Sequence, residues 1–386
     1  MSRPRRLLTI GHSYAVALNR RLADEMHRTP ALPGERAWEV TVGAPLYVRG
    51  DLRPIALEPP LAGAAPTVGV ALYGTRSAHT MTYGTAAREL VRGTPWDFVH
   101  LWQEPYTWAG YQLGRWAGAT PHAHVTYQNL AKVYPPPVRW LERAAVGRSR
   151  AWIAAGVTVA ETLRGRPPYD RKPHAVIPPG VDLVAFAPDP AARAAVFARL
   201  GWSPPGPPVI GFLGRFVPEK GLAVLTQAAD ALRTDWRMLL VGGGPLEGPL
   251  RAWAARHGDR VRVVTGVPHA GVPTYLNAMD LLAAPSRTTP RWREQLGRMV
   301  LEAFAVGVPV VGSDSGELPH VLGTAGVVVP EGDVIAWTAA LGDLLDAPAR
   351  RRELAALGHA RAAEVFAWPV VARQTLAFLN RLLAEA

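Results

Sequence analysis

The chain has 386 residues, 48% hydrophobic and 19% charged, with no cysteine and a formal net charge of +11. That length suits two or three domains, no run approaches the roughly 18 apolar residues that span a bilayer, and disulfides, thiolate catalysis and Cys-based zinc sites are excluded. The basic excess is compatible with nucleic acid, an anionic surface or phosphorylated substrates; it is also nearly all arginine, with Lys132, Lys172 and Lys220 the only lysines, as a GC-rich genome alone would produce.

Taken in order, Arg5 to Ile10 moves straight from terminal charge into a strand, so neither a secreted nor an integral-membrane protein is expected and a cytoplasmic location is. Gly11-His-Ser-Tyr is a turn, and Ala15 to His27 reads as an amphipathic helix with Leu18, Leu22 and Met26 on one face. Further strands are expected at Trp38–Val42, Thr67–Leu72, Phe98–Leu101, Ala123–Thr126, Trp152–Ala154 and Ala175–Ile177. They alternate with helices at 84–92, 107–116, 136–146 and 157–164, the pattern of a parallel α/β sheet. Asp51 to Pro66 is Pro-rich and reads as a loop. Helix 136–146 and its flanks carry Arg139, Arg143, Arg148 and Arg150 beside Trp140, a solvated face or one that meets anionic lipid headgroups.

Prolines on both sides of Gly180 favour a sharp bend, and the domain boundary is placed after Pro188, with residues 189–208 as connection. Val209 to Arg215 is a buried strand opening into a Gly-Arg turn, followed by Lys220 and helix 221–233. Arg237–Val241, helix 246–256 and Val261–Thr265 continue the alternation. Met299, Leu301, Ala303 and Phe304 mark a buried helix beginning near Gly297, ended by Gly307 and followed by a strand at Val308–Val311. Glu294 then sits just before that helix and Glu302 in its second turn, roughly 12 Å along and about 80° around the axis. Carboxylates so placed are poorly suited to sharing one proton or metal ion. They suit the two ends of an elongated ligand, with the free amides of residues 297 to 300 offered to phosphates between them. Helices at 333–346, 349–364 and 369–386 close the chain.

Glu294 and Glu302, separated by seven residues and followed by Ala-Phe-Ala-Val-Gly-Val-Pro-Val-Val311, resemble the signature of the family 4 glycosyltransferases. Gly214-Arg215 with Lys220-Gly221, Ile177-Pro-Pro-Gly-Val-Asp182 and Asp97-Phe-Val-His-Leu-Trp-Gln-Glu-Pro105 extend the resemblance, densely over 175–330 and more loosely before. It implies an α/β fold of two Rossmann-like domains facing across a cleft (the GT-B architecture): 1–188 on the acceptor side, 189–368 binding the nucleotide sugar, and helix 369–386 packing back on the first. The implied activity is a retaining, metal-independent transfer from a nucleoside-diphosphate sugar to a carbohydrate, lipid-linked or small-molecule acceptor. Peripheral contact with the inner membrane surface is compatible with it, and nucleic acid is not an expected partner. No Asp-x-Asp motif occurs, so neither a metal on the diphosphate nor a further cofactor is expected.

By the same resemblance Arg215 and Lys220 grip the diphosphate, Glu294 positions the transferred sugar and Glu302 holds the ribose. Gly297, Arg298, Met299 and Val300 lend amides, Val267 meets the nucleobase through its backbone, and Gly11 approaches the phosphates. His12, Gln103, Glu104, Gln128 and Asn129 are acceptor-side candidates. His12 could instead touch a phosphate or be solvated, and Glu104 could cap the following helix. Gln128 stands where many members have histidine, and a neutral amide cannot act as general base. That substitution, and a first turn with Gly11 alone, keep open the alternative of a catalytically silent sugar-nucleotide binder or assembly partner.

Overall fold

The computed structural model describes residues 3–49, 54–77 and 79–385. The chain forms two units, one of residues up to Pro179 together with those from Trp368 onward, the other Gly180–Ala367. It changes unit ahead of Pro188 because Val181 and Phe186 are already buried in the second unit's core, where the Val181 N–H donates to the Phe366 carbonyl at 2.8 Å.

The first unit is built on a seven-stranded parallel sheet in the order His174–Val176, Ala151–Ala154, His122–Thr126, Phe98–Trp102, Arg5–Gly11, Trp38–Pro45, Thr67–Val70. Its central strands are largely apolar (Leu7, Leu8 and Ile10; Phe98, Val99 and Leu101), all fully buried, as a sheet covered on both faces requires. The one polar residue within each run, Thr9 and His100, is buried and hydrogen-bonded to the other at 2.9 Å. Helix Arg21–Arg28 and the C-terminal helix Trp368–Ala384 cover one face, and helices Thr85–Gly93 and Trp108–Ala117 the other. The chain builds outward from Arg5–Gly11 through Trp38–Pro45 to Thr67–Val70, then returns to lay Phe98–Trp102 on the opposite side. That reversal opens a crevice at the C-terminal ends of Arg5–Gly11 and Phe98–Trp102, where open α/β sheets hold ligands.

The second unit repeats the plan with six parallel strands, Val261–Thr265, Arg237–Gly243, Val209–Arg215, Leu281–Ala284, Val310–Ser313 and Val327–Val329. Here the order reverses between Val209–Arg215 and Leu281–Ala284. Two large apolar clusters fill the space on either side of this sheet, one containing Val300, Leu301 and Phe304 of the central helix, the other Trp337 and Leu341 of helix Val334–Asp346.

Several elements differ from expectation. The helix at 15–27 is confined to Arg21–Arg28, preceded by two 3-10 turns, His12–Ala15 and Ala17–Arg20. The cause is Arg20, 1% exposed, whose guanidinium donates to the carbonyls of Tyr14, Ala15, Glu58 and Pro59 and so pins the chain before a regular helix can start. Thr67–Leu72 breaks at Ala71, since Leu72–Tyr73 pairs antiparallel with Thr82–Tyr83. The Asp51–Pro66 loop contains a strand, Ile55–Ala56, paired with Tyr47–Val48; its first residues, 51–53, lie outside the described residues. Residues 189–208 are no mere connection: Pro190–Leu200 is a helix, capped by the Asp189 carboxylate on the N–H groups of Ala191 and Ala192 and ended by Gly201 in the left-handed region. The strand after the central helix starts at Val310, because the Val308 N–H is still bonded to the Ala303 carbonyl.

Candidate functional site

The reversal point of the second sheet brings Lys220 and Glu294 together. Strand Val209–Arg215 is followed by one 3-10 turn, Pro218–Lys220, and then by Gly221 at φ +69°, where an added Cβ would lie 1.7 Å from the Pro285 carbonyl oxygen. Only glycine lets these two loops approach so closely. The approach places the Lys220 ammonium 2.5 Å from Glu294 Oε2, which also accepts from the Ser286 hydroxyl at 2.7 Å. Both charged side chains are largely buried, 12% and 8% exposed, and the Trp292 ring lies 5.1 Å from the ammonium. Burial alone would raise the Glu294 carboxyl. The Lys220 ammonium, the Ser286 hydroxyl and the Gly297 N–H outweigh it, hold the group below the usual carboxylate range and keep it ionised at neutral pH. Behind it, Gly316 at φ +58° lets the loop after Val310–Ser313 press on the Glu294 backbone, whose carbonyl accepts the Glu317 N–H.

Gly297, at φ +74°, is the N-cap of the helix Arg298–Ala305; it has no side chain to cap the helix, and its own N–H is bonded to the Glu294 carboxylate. Arg298 is exposed while Met299 and Val300 are buried, so Met299 and Val300 can present only backbone to a ligand. Glu302 belongs to a separate network: its Oε1 accepts from His269 Nε2 at 3.0 Å. The two carboxylates thus have different partners, in line with the helical spacing. His269 went unmarked in the sequence; its signal was its place directly after Gly266-Val267-Pro268 at a strand end. Val267 lines a cavity of about 380 Å³ with Gly266, Thr265, Arg199 and Tyr275. Arg215 is exposed at its strand end; its guanidinium is not drawn into the Lys220–Glu294 cluster and makes no hydrogen bond or ion pair among the described residues.

In the first unit, Gly11 and Trp102 are register partners on adjacent strands, and a Cβ on Gly11 would meet the Trp102 carbonyl at 2.5 Å. The next residue on each strand is His12 and Gln103, and their side chains join, Nδ1 to Oε1, at 2.9 Å. Glu104 does not cap the following helix; Thr107 does, accepting the Gly110 N–H. The Glu104 carboxylate instead accepts from the Thr126 hydroxyl and the Tyr127 N–H, each at 2.7 Å. Gln128 is 7% exposed, and its amide is spent on Glu142, Tyr169 and Tyr134. Asn129 is buried beside it. On helix Pro136–Arg148, Arg139, Arg143 and Arg148 are exposed and Trp140 packs 5.2 Å from Tyr111, while Arg150 donates to the carbonyls of Leu382 and Glu385 on or next to the C-terminal helix. No described helix is long and apolar enough to cross a membrane.

Comparison with known proteins gives two family matches, "Glycosyl transferases group 1" over residues 207–347 and "Glycosyltransferase Family 4" over 33–185. A GDP-mannose-dependent alpha-(1-6)-phosphatidylinositol monomannoside mannosyltransferase of Mycolicibacterium smegmatis is 39% identical over 201 residues, 50% of this chain and 52% of that one, so the match spans about half the relative's length. A D-inositol 3-phosphate glycosyltransferase of Salinispora tropica is 34% identical over 342 residues, 79% of this chain and 68% of the other. Among solved structures, sucrose-phosphate synthase from Thermosynechococcus elongatus superposes with a TM-score of 0.73 over 99% of this chain and 100% of its own, at 22% identity, a likeness of fold.

Proposed function

The chain belongs to the family 4 glycosyltransferases, glycosyl-transferring enzymes of the GT-B fold, and from that membership we propose a retaining, metal-independent transfer from a nucleoside-diphosphate sugar to a hydroxyl-bearing acceptor. The observation that carries it is the Lys220–Glu294–Ser286 cluster at the sheet's reversal point, beside the N-terminus of the helix Arg298–Ala305. An ammonium has three N–H donors; one serves Glu294, and two remain for diphosphate oxygens. Arg215 adds an unengaged fork suited to bidentate phosphate binding, and the first helix amides complete a donor array aimed at the charge that develops on the leaving diphosphate. Ser286 and Lys220 both hold Glu294 Oε2, which favours a carboxylate that orients the transferred sugar over one that attacks it. Glu302 has its Oε2 for a ribose hydroxyl while Oε1 holds His269. The acceptor hydroxyl then enters on the face the diphosphate leaves, its proton passing to a phosphate oxygen.

GDP-mannose, named for the mycobacterial relative, is the first donor to test, followed by UDP-, ADP- and dTDP-sugars. One donor is expected to be consumed in the presence of EDTA with its anomeric configuration kept in the product. Glu294→Ala is expected to lower that turnover by about 100-fold, on the scale of a lost transition-state contact. An inverted product, or no turnover of any donor, contradicts the proposal.

A further inference from the structure

The hydrogen bonds around His12 settle which of its ring nitrogens carries the proton. Thr107 Oγ1 accepts the Gly110 N–H at 3.0 Å, and its own proton goes to the Glu104 carbonyl at 2.8 Å. With that proton spent, the hydroxyl can only accept from Gln103, 3.1 Å away, so the Gln103 NH2 faces Thr107 and its carbonyl oxygen faces His12. The backbone N–H of His12 also points at that oxygen, at 3.4 Å, which independently excludes the flipped amide. His12 Nδ1, 2.9 Å from the same oxygen, must therefore be the protonated nitrogen. Nε2 then carries a lone pair and no hydrogen, and it makes no hydrogen bond among the described residues.

The half-buried ring sits at the C-terminal end of Arg5–Gly11, beside Phe98–Trp102, where the strand order of this sheet reverses. We infer that His12 is an acceptor-binding residue whose bare Nε2 takes a hydrogen bond from an acceptor hydroxyl other than the one that attacks, with Gln103 the positioning residue that fixes its tautomer. A bare lone pair repels an anionic oxygen, so the chemistry assigns this nitrogen to a hydroxyl and not to a phosphate. Burial, only partly offset by Gln103, lowers the ring's proton affinity and keeps the lone pair free at neutral pH. Unlike Gln128, whose amide is consumed by Glu142, Tyr169 and Tyr134, His12 thus has an open position. The inference rests on the transferase reading and specifies which atom on this unit meets the acceptor.

Nitrogen-15 spectra of the imidazole in the full chain test it directly. Wild type at pH 7.5 is expected to show His12 protonated on Nδ1, and Gln103→Leu to shift it toward the Nε2–H form; an Nε2–H ring in wild type overturns the inference. Donor turnover is then measured with water alone and with D-inositol 3-phosphate as hydroxyl sources. With D-inositol 3-phosphate, His12→Phe is expected to lower kcat by about tenfold, the scale of one hydrogen bond, with donor KM and the water reaction unchanged, and His12→Gln, which offers a carbonyl oxygen, to recover part of it. A loss that appears in donor KM instead, or no loss, overturns it. Absence of donor turnover in wild type would tell against the transferase reading, and the nitrogen spectra still decide the tautomer.

Discussion

Glu104 carries a pH signature that can be read in solution. Burial, only partly offset by the Tyr127 N–H and the Thr126 hydroxyl, pushes its carboxyl up to about 7. An acid whose folded-state value is raised binds its proton more tightly when folded. The stability linked to it is full below the unfolded value near 4.5 and is lost as pH rises through about 7. Glu104→Gln is expected to flatten urea-melt stability between pH 5 and 8 and to stabilise the chain at pH 8 by up to about 3 kcal/mol; an unchanged pH slope contradicts this account. At this scale the sequence showed residue types and not their pairings. Lys220 and Glu294 were separately legible, one for phosphate and one for sugar, yet their ion pair joins positions 74 apart and emerges only when two strand ends meet. His269 on Glu302 and Gln103 on His12 are likewise non-local, so no spacing rule could find them.

Between elements, two glycines in the left-handed region separate backbone preference from close approach. Gly201 ends the helix Pro190–Leu200 at φ +71° with open space around its Cβ position, whereas Gly221 at φ +69° would drive a Cβ into the Pro285 carbonyl. Gly201→Ala is expected to cost about 1 kcal/mol, the backbone penalty alone. Gly221→Ala should cost at least about twice that and also weaken nucleoside-diphosphate binding, because Lys220 is carried on the displaced turn. Thermal melts and a binding titration check both, and equal costs at the two positions would count against the close-approach argument. Strands such as Val209–Arg215 were legible because sheets buried on both faces demand unbroken apolar runs. The helix Pro190–Leu200 was hidden by the prolines after it, although Asp189, Pro190 and Gly201 are cap signals in plain view. The shortened first helix could not have been foreseen, since it depends on the guanidinium of Arg20 reaching carbonyls at Glu58 and Pro59.

Across the whole molecule, two sheets built on one plan each place their marked residues where strand order reverses: His12 and Gln103 in the first, Lys220 and Glu294 in the second. The alternation of strands and helices announced a parallel α/β sheet and the family resemblance its doubling into two Rossmann-like units, while the position of each reversal had to come from the strand pairing. The C-terminal helix Trp368–Ala384 contributes Val371, Phe378 and Leu379 to the first unit's core, so that unit is assembled from both ends of the chain. In the proposed function Lys220 is the central phosphate ligand. Calorimetric titration of GDP, UDP, ADP and dTDP into wild type and into Lys220→Met/Glu294→Gln, a pair that leaves no buried charge unmatched, tests it most directly. One diphosphate should bind wild type and lose about tenfold to 100-fold in affinity in the double variant, as expected for charge-assisted hydrogen bonds; equal binding by the two proteins would contradict it.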